Sequence, residues 1–262
     1  MTDFIPGRTS TAWPAVVSSG FRADIPVASR NQLLAALLSQ ARQDLLPYLK
    51  PVYLAARDVL VDVDEPLTQC YFPQGSTAVS MIRVFRDGRM SEMATIGNEG
   101  VVPVSAPCVA QSSLARCVVQ TPGPGLALEA ARLRSVGHTH AAVGRALNVF
   151  ITTLLFQVLQ SAACNAVHTA EQRCARWLLT ATDRSGSDSL ALTHEVMAET
   201  LGVHRPTVSV VARSLQQAGI IRYRRGAITI ADRLRLEQAA CECYVLDRER
   251  RERLSRLLVG RD

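Results

Sequence analysis

Apolar residues recur at three- and four-residue steps across 31–49, where Leu33, Leu34, Leu37, Leu38, Leu45 and Leu46 line one side. That period is helical, and Pro47 and Pro51 end it, so the stretch predicts an amphipathic helix pair. The texture then changes to alternation. Across 57–63, Val59, Val61 and Val63 fall on one side of the chain and Asp58, Leu60 and Asp62 on the other, the period of a half-buried strand. Tyr71-Phe72-Pro73 punctuates the next segment, and 78–85 reads as a further strand. Asp87-Gly88 is a two-residue hairpin signal, returning the chain along 89–96. Gly97-Asn98-Glu99-Gly100 breaks that strand, 116–120 predicts another, and Pro122-Gly123-Pro124-Gly125 reads as a turn into a final short one. Short strands separated by frequent turns predict a small β-sandwich or barrel of jelly-roll type.

From about residue 134 to 167 the pattern is helical again. Val143, Leu147, Phe150, Ile151, Leu154, Leu155, Val158, Leu159 and Ala162 form a stripe wider than one neighbour needs. A helix apolar on more than one side must bury against two things. The economical arrangement is the strand domain on one flank and the same helix of a second subunit on the other. Val143, Leu147, Phe150, Leu154 and Val158 are then the expected dimer interface, the alternative being an ordinary core helix within a monomer. The run 146–163 is broken by Asn148, Thr152, Thr153, Gln157, Gln160 and Ser161, too polar for a clean membrane span.

The stretch 192–232 carries the chemistry. Thr193 can cap a helix over 194–201, though Val196 stands where a capping box would need Glu or Gln. Gly202 permits the sharp reversal of a helix-turn-helix. Val203, Val208, Val211 and Leu215 turn the apolar side of a second helix onto Met197 and Leu201, and Pro206 falls in its first turn, where a missing N–H costs little. His204, Arg205, Thr207, Ser209 and Arg213 remain outward, donors without an acid among them. Such a face suits the major groove: Arg205 can make a bidentate contact with guanine, Thr207 and Ser209 suit base or phosphate oxygens, and Arg213 suits the backbone. Residues 222–230 then read as strand, turn and strand decorated by Arg222, Arg224 and Arg225. A basic hairpin after a recognition helix is the wing of a winged helix, its arginines placed against phosphates.

Composition agrees without deciding. The 262 residues include 29 Lys+Arg against 23 Asp+Glu, a net +6 and a pI near 9.2, a mild indication of a polyanionic partner. Lys50 is the sole lysine, so almost every positive charge is a planar guanidinium; a GC-rich genome would produce the same bias. Apolar residues make up 48% and charged residues 20%, enough to bury a core. The N-terminus carries no apolar stretch behind a basic start, so no secretory signal is read, and a cytoplasmic protein is expected.

The segment LTHEVMAETLGVHRPTVSVVARSLQQAGIIRYRRGAITIAD strongly resembles the C-terminal domain of the Crp/Fnr superfamily of bacterial transcription regulators. Upstream, NQLLAALLS, DVLVDVDEPLTQCYFPQGSTAVSMI, RDGRMSEMATIGNEGVV and CNAVHTAEQRCARWLL resemble that family's β-roll, dimerisation helix and hinge. The resemblance implies an α+β chain: an N-terminal double-stranded β-helix (jelly-roll, cyclic-nucleotide-binding-like) domain, a long dimerisation helix and a C-terminal winged helix-turn-helix domain. The expected boundaries are a flexible arm over 1–28, the β-roll over 29–133, the dimerisation helix over 134–168, the DNA-binding domain over 169–246 and a charged, solvated tail over 247–262. It also implies a homodimer on double-stranded DNA with a two-fold operator, Arg205 as the position that most often reads a base, and RNA polymerase as a candidate partner. Pro206 and Val210 replace polar base-reading residues of the best-known members, so the family's familiar operator does not carry over.

Members that bind cyclic AMP use a glycine-glutamate pair and an arginine-serine pair. Here Glu99 is displaced by one residue from Gly97, and Cys117 follows Arg116 where serine would stand. A thiol is a poor donor to phosphate, so Glu99 and Arg116 mark a candidate ligand pocket without an intact phosphate cassette. The seven cysteines lack paired CxxC spacing, and none precedes Cys70, where cluster-bearing members carry theirs. Cys241-Glu242-Cys243 matches no common zinc or cluster pattern, and His138 and His140 are read as surface residues. Neither a metal nor a cofactor is expected. An enzyme built on Cys174 has no histidine and acid arranged with it. The alternative function is a ligand-binding regulatory module acting through protein partners, which would show apolar or acidic residues on the second helix.

Overall fold

The structure is a computed structural model that describes residues 30–259 except Arg89, residues 109–111 and Arg225. The predicted arm over 1–28 and the wing residue Arg225 therefore lie outside the described residues.

Helix α1 (Gln32–Leu45) starts where the side chain of Asn31 accepts from the N–H of Leu34. The buried Asn31 amide also donates to the carbonyls of Pro73 and Gly100, tying the helix to the sheets it covers. The predicted helix pair is one helix bent at Ala41 (φ −140°, ψ 48°), followed by a short 3-10 turn over Leu46–Tyr48.

Strands β1 (Lys50–Leu54), β2 (Val59–Val61), β3 (Gln69–Pro73), β4 (Ala78–Val84), β5 (Met90–Ile96), β6 (Arg116–Thr121) and β7 (Gly123–Glu129) form two antiparallel sheets, ordered β1-β7-β3 and β2-β6-β4-β5. This is the predicted β-roll, with differences. Pro51 lies within edge strand β1, where a missing N–H is tolerated. The Gly-Pro-Gly stretch is no turn: it is the start of β7, with Gly123 opposite Leu54 and Gly125 opposite Pro73. A Cβ on Gly123 would collide with the Thr77 hydroxyl, so close approach, not reversal, requires the glycine.

The single long helix expected over 134–168 is two, α2 (Ala130–Thr139) and α3 (Ala141–Val167), parted at His140, whose backbone is extended. Gly144 crosses within reach of the Gly137 carbonyl. On α3, Val143, Leu147, Phe150 and Leu154 sink into the same core as α1 and both sheets, and Phe150 fits over Gly100 so closely that any Cβ there would strike its ring. By length and composition α3 could cross a membrane, but those four side chains are committed to the chain's own core.

The second core belongs to α4 (Ala170–Ser185), β8 (Ser189–Ala191), α5 (His194–Leu201), α6 (Arg205–Gln217), β9 (Ile221–Arg224), β10 (Ala227–Ile230) and α7 (Arg233–Ala239), with the sheet ordered β8-β10-β9. A capping box between Thr169 and Gln172 opens α4, and Gly186 ends it in the left-handed region. The last element corrects the expected solvated tail. Helix α8 (Cys243–Val259) runs back along α3 and α1, burying Asp247 and placing Leu254 in the N-terminal core. Arg251 meets Asp183 of α4 and Asp247. The charge run hid a strap whose inward positions are few.

Candidate nucleic-acid interface

The helix-turn-helix is assembled by local devices. The Thr193 hydroxyl accepts from the Val196 N–H at 3.3 Å to start α5, and Gly202 ends it at φ +62°. Met197 and Leu201 lie beneath Val208, Val211 and Leu215, all buried in the second core. Pro206 stands in the first turn of α6. Because Val208, Val211, Ala212 and Leu215 are buried on one side of α6, packing fixes its outward side: His204, Arg205, Thr207, Val210 and Arg213 are exposed, and α6 contains no acid. Val210 is 67% exposed, an apolar contact in an otherwise polar face.

Two members of the predicted face are engaged. Arg205 pairs with Glu195 of α5 at 2.9 Å, both side chains open to solvent. Ser209 is half-buried; its hydroxyl donates to the Arg205 carbonyl at 3.2 Å and bonds the His194 ring nitrogen at 3.1 Å. It therefore braces α5 against α6, a correction to its reading as an outward contact.

The wing follows as expected. Strands β9 and β10 pair Arg224 with Ala227 across a turn at Gly226, whose φ is +79°. Arg222 and Arg224 are exposed. The Tyr223 N–H donates to the Gln216 side chain at 2.8 Å, and its ring stacks on His194 with centroids 4.5 Å apart. Wing, α5 and α6 are thus one braced unit. The His194–Tyr223 stack went unread in the sequence because no short-range pattern links residues so far apart.

The two candidate pocket residues are not brought together on a shared ligand position. Glu99 is buried against Arg184 of α4 at 3.1 Å. Burial alone would raise its pKa, but the charges of Arg184 and Arg251 and backbone hydrogen bonds hold it below the ordinary value. Arg116 forms a double contact with Asp62, and that hydrogen bonding raises its pKa. The Glu99–Arg184 pair also joins the two domains, as does the Trp177 indole donating to Glu92 at 3.3 Å. Burial pushes Cys117 and Cys174 up to about 12, the direction expected of thiols held in apolar surroundings.

The predicted dimer contacts require correction. Val143, Leu147, Phe150 and Leu154 are buried by their own chain, and Val158 packs partly against the same core. The large apolar side chains left outward on α3 are Leu155, Phe156, Leu159 and, at its last position, Val167. Phe156 carries the Arg250 guanidinium 4.6 Å above its ring. The cysteines hold another surprise: Cys241 and Cys243 meet Cys164 and His168 of α3. The sequence signals are the close pair Cys241 and Cys243 and the four-residue spacing of Cys164 and His168, at the end of α3.

Residues 172–239 match the family of Crp-like helix-turn-helix domains. No curated protein sequence matches the chain. Among solved structures, FixK2 from Bradyrhizobium japonicum superposes with a TM-score of 0.63 at 19% identity, covering 74% of this chain and 98% of its own. A Crp/Fnr-family regulator from Eubacterium rectale gives 0.65 at 21%, covering 76% and 92%. A CRP-family regulator from Thermus thermophilus gives 0.61 at 20%, covering 73% and 96%. The C-terminal domain is a Crp-like helix-turn-helix domain, and the chain has the fold of Crp/Fnr transcription regulators. About a quarter of it has no counterpart in FixK2.

Proposed function

We propose that the protein is a sequence-specific transcription regulator acting in the cytoplasm as a homodimer on a two-fold operator. The observation that carries this reading is the outward side of α6: exposed Arg205, Thr207 and Arg213, no acid on the helix, and Arg222 and Arg224 exposed on the adjoining wing. Donors on a helix suit base edges, and flanking guanidinium groups suit phosphates. Arg205 reads a base once it leaves Glu195, Val210 offers an apolar contact of the kind made to a thymine methyl, and the wing supplies affinity independent of sequence. Leu155 and Leu159, one turn apart and each 56% exposed on α3, are the contact for the second copy. The engagement of Glu99 by Arg184 and of Arg116 by Asp62 supports a sensor-like domain that does not grip cyclic-nucleotide phosphate; calorimetry with cyclic AMP should give no heat of binding. The defining experiment is binding-site selection with full-length protein followed by footprinting. A symmetric site with half-sites about 10 base pairs apart, or a multiple of that, is expected. Retention of DNA without sequence preference would overturn the reading.

A further inference from the structure

Four side chains with metal-binding atoms converge where the end of α3 meets the start of α8. Cys164 and His168 come from α3 and its cap, Cys241 from the loop after α7, and Cys243 from the first position of α8. Their ligand atoms all lie within 4.8 Å of one another. The Cys164 and Cys241 sulfurs are 3.6 Å apart, and the Cys243 sulfur is 3.6 Å from the His168 Nδ1. A tetrahedral zinc with Zn–S of about 2.3 Å and Zn–N of about 2.0–2.1 Å sets neighbouring sulfurs roughly 3.8 Å apart, and sulfur and nitrogen roughly 3.6 Å apart. A polynuclear cluster, whose ligands must surround several irons, does not fit so small a space.

The surroundings are those of a ligand set. His168 Nε2 faces the Glu242 carboxylate at 3.2 Å, the outer partner that turns the other ring nitrogen toward a metal and raises its basicity. The Gln160 amide donates to the Cys243 sulfur at 3.0 Å. All three thiols are buried and none is in a disulfide. Three buried sulfurs and an imidazole aimed at one point are a costly arrangement for a core that leucine could fill. A Cys3His set is a familiar structural zinc site.

We propose that Cys164, His168, Cys241 and Cys243 bind one zinc ion in a closed tetrahedral site that pins strap helix α8 to the end of α3. All four residues lie outside the span 172–239 matched by the helix-turn-helix family, so the site is no part of that motif. Binding requires the three cysteines as thiolates, with their protons released to buffer. Because α8 carries Leu254 into the N-terminal core and Arg251 to Asp183 of α4, the ion locks a strap spanning both domains. The inference is independent of whether DNA is bound.

The test uses full-length protein stripped with chelator under reducing conditions and titrated with cobalt(II), then zinc(II). One equivalent of cobalt should give the visible bands of a tetrahedral thiolate site, and zinc should bleach them. Trypsin cleavage at the arginines of α8 should slow when zinc is present. The Cys241→Ser, Cys243→Ser double variant should lose both effects. Glu242→Gln, which leaves every ligand and the fold in place, should weaken zinc about 10–100-fold against a chromophoric chelator. Absence of tetrahedral bands in the wild-type protein, or the same bands retained in the Cys241→Ser, Cys243→Ser double variant, would overturn the proposal. A Cys164–Cys241 disulfide persisting in reductant would do the same.

Discussion

Helices α6 and α3 pose opposite problems. Around α6 the apolar residues other than Val210 occupy one side, so burial of Val208, Val211 and Leu215 leaves a single possible outward face. Helix α3 is apolar nearly all round, with buried Val143, Leu147, Phe150 and Leu154 on one side and exposed Leu155, Phe156 and Leu159 on another. Periodicity therefore orients α6 but cannot orient α3. What decides α3 is the shape of its neighbours: the gap at Gly100 accepts the Phe150 ring, and Val143, Leu147 and Leu154 sink into the same core. A strongly divided helix carries its orientation in its own residues, whereas a uniformly apolar one takes it from what it packs against.

The two sides of α3 can be separated directly, and the largest effect is expected there. Leu154→Asp should cost at least the roughly 2–5 kcal/mol of losing a buried leucine, with a further penalty for the buried charge, and thermal denaturation should show a collapsed midpoint. Leu159→Asp places the same charge on the open side. It should leave the monomer's melting almost unchanged while abolishing the dimer in sedimentation velocity. Equal effects of the two substitutions would erase the distinction between the sides.

The same contrast explains what could be read from residues alone. The β-roll's hairpin at Asp87-Gly88, the recognition helix and the wing were legible because turn chemistry and periodicity act over a few residues. The start of β7 reads as a turn because Gly123 and Pro124 are also turn formers; only the approach of Thr77 reveals why a glycine stands there. The tail over 247–262 reads as solvated because its inward positions, Asp247 and Leu254, are scattered among arginines. The gathering of Cys164 with Cys241, 77 residues apart in sequence, is a product of tertiary packing that no local spacing encodes. Of the site, the outward face of α6 was legible, whereas the bracing role of Ser209 depended on where His194 would point.

On α6 the effects should be smaller and confined to binding. Arg205→Ala should weaken the selected operator by about 1–3 kcal/mol and relax preference at one base-pair position. Competition footprinting with operator variants checks both, and an unchanged base preference would remove Arg205 from the reading face. Replacing Arg222 and Arg224 together with Gln should lower affinity for all sequences alike. The slope of log K against log salt should flatten by about 2, one unit for each lost phosphate contact. Wild-type salt dependence in that variant would detach the hairpin from DNA.

The smallest expected effect tests the one contact that competes with the reading face. Glu195 holds Arg205 at 2.9 Å, but both side chains are more than half exposed, so the pair is worth about 0–1 kcal/mol. In Glu195→Gln, Arg205 no longer has to break that pair on reaching the groove, and a carboxylate is removed from beside the phosphates. Thermal stability should stay within about 0.5 kcal/mol of wild type, and operator affinity measured by fluorescence anisotropy should rise, by less than about fivefold at moderate salt. A fall in affinity would carry the opposite lesson: α5 would then be holding Arg205 in its reading position, and the outward face of α6 would depend on a neighbour much as α3 does.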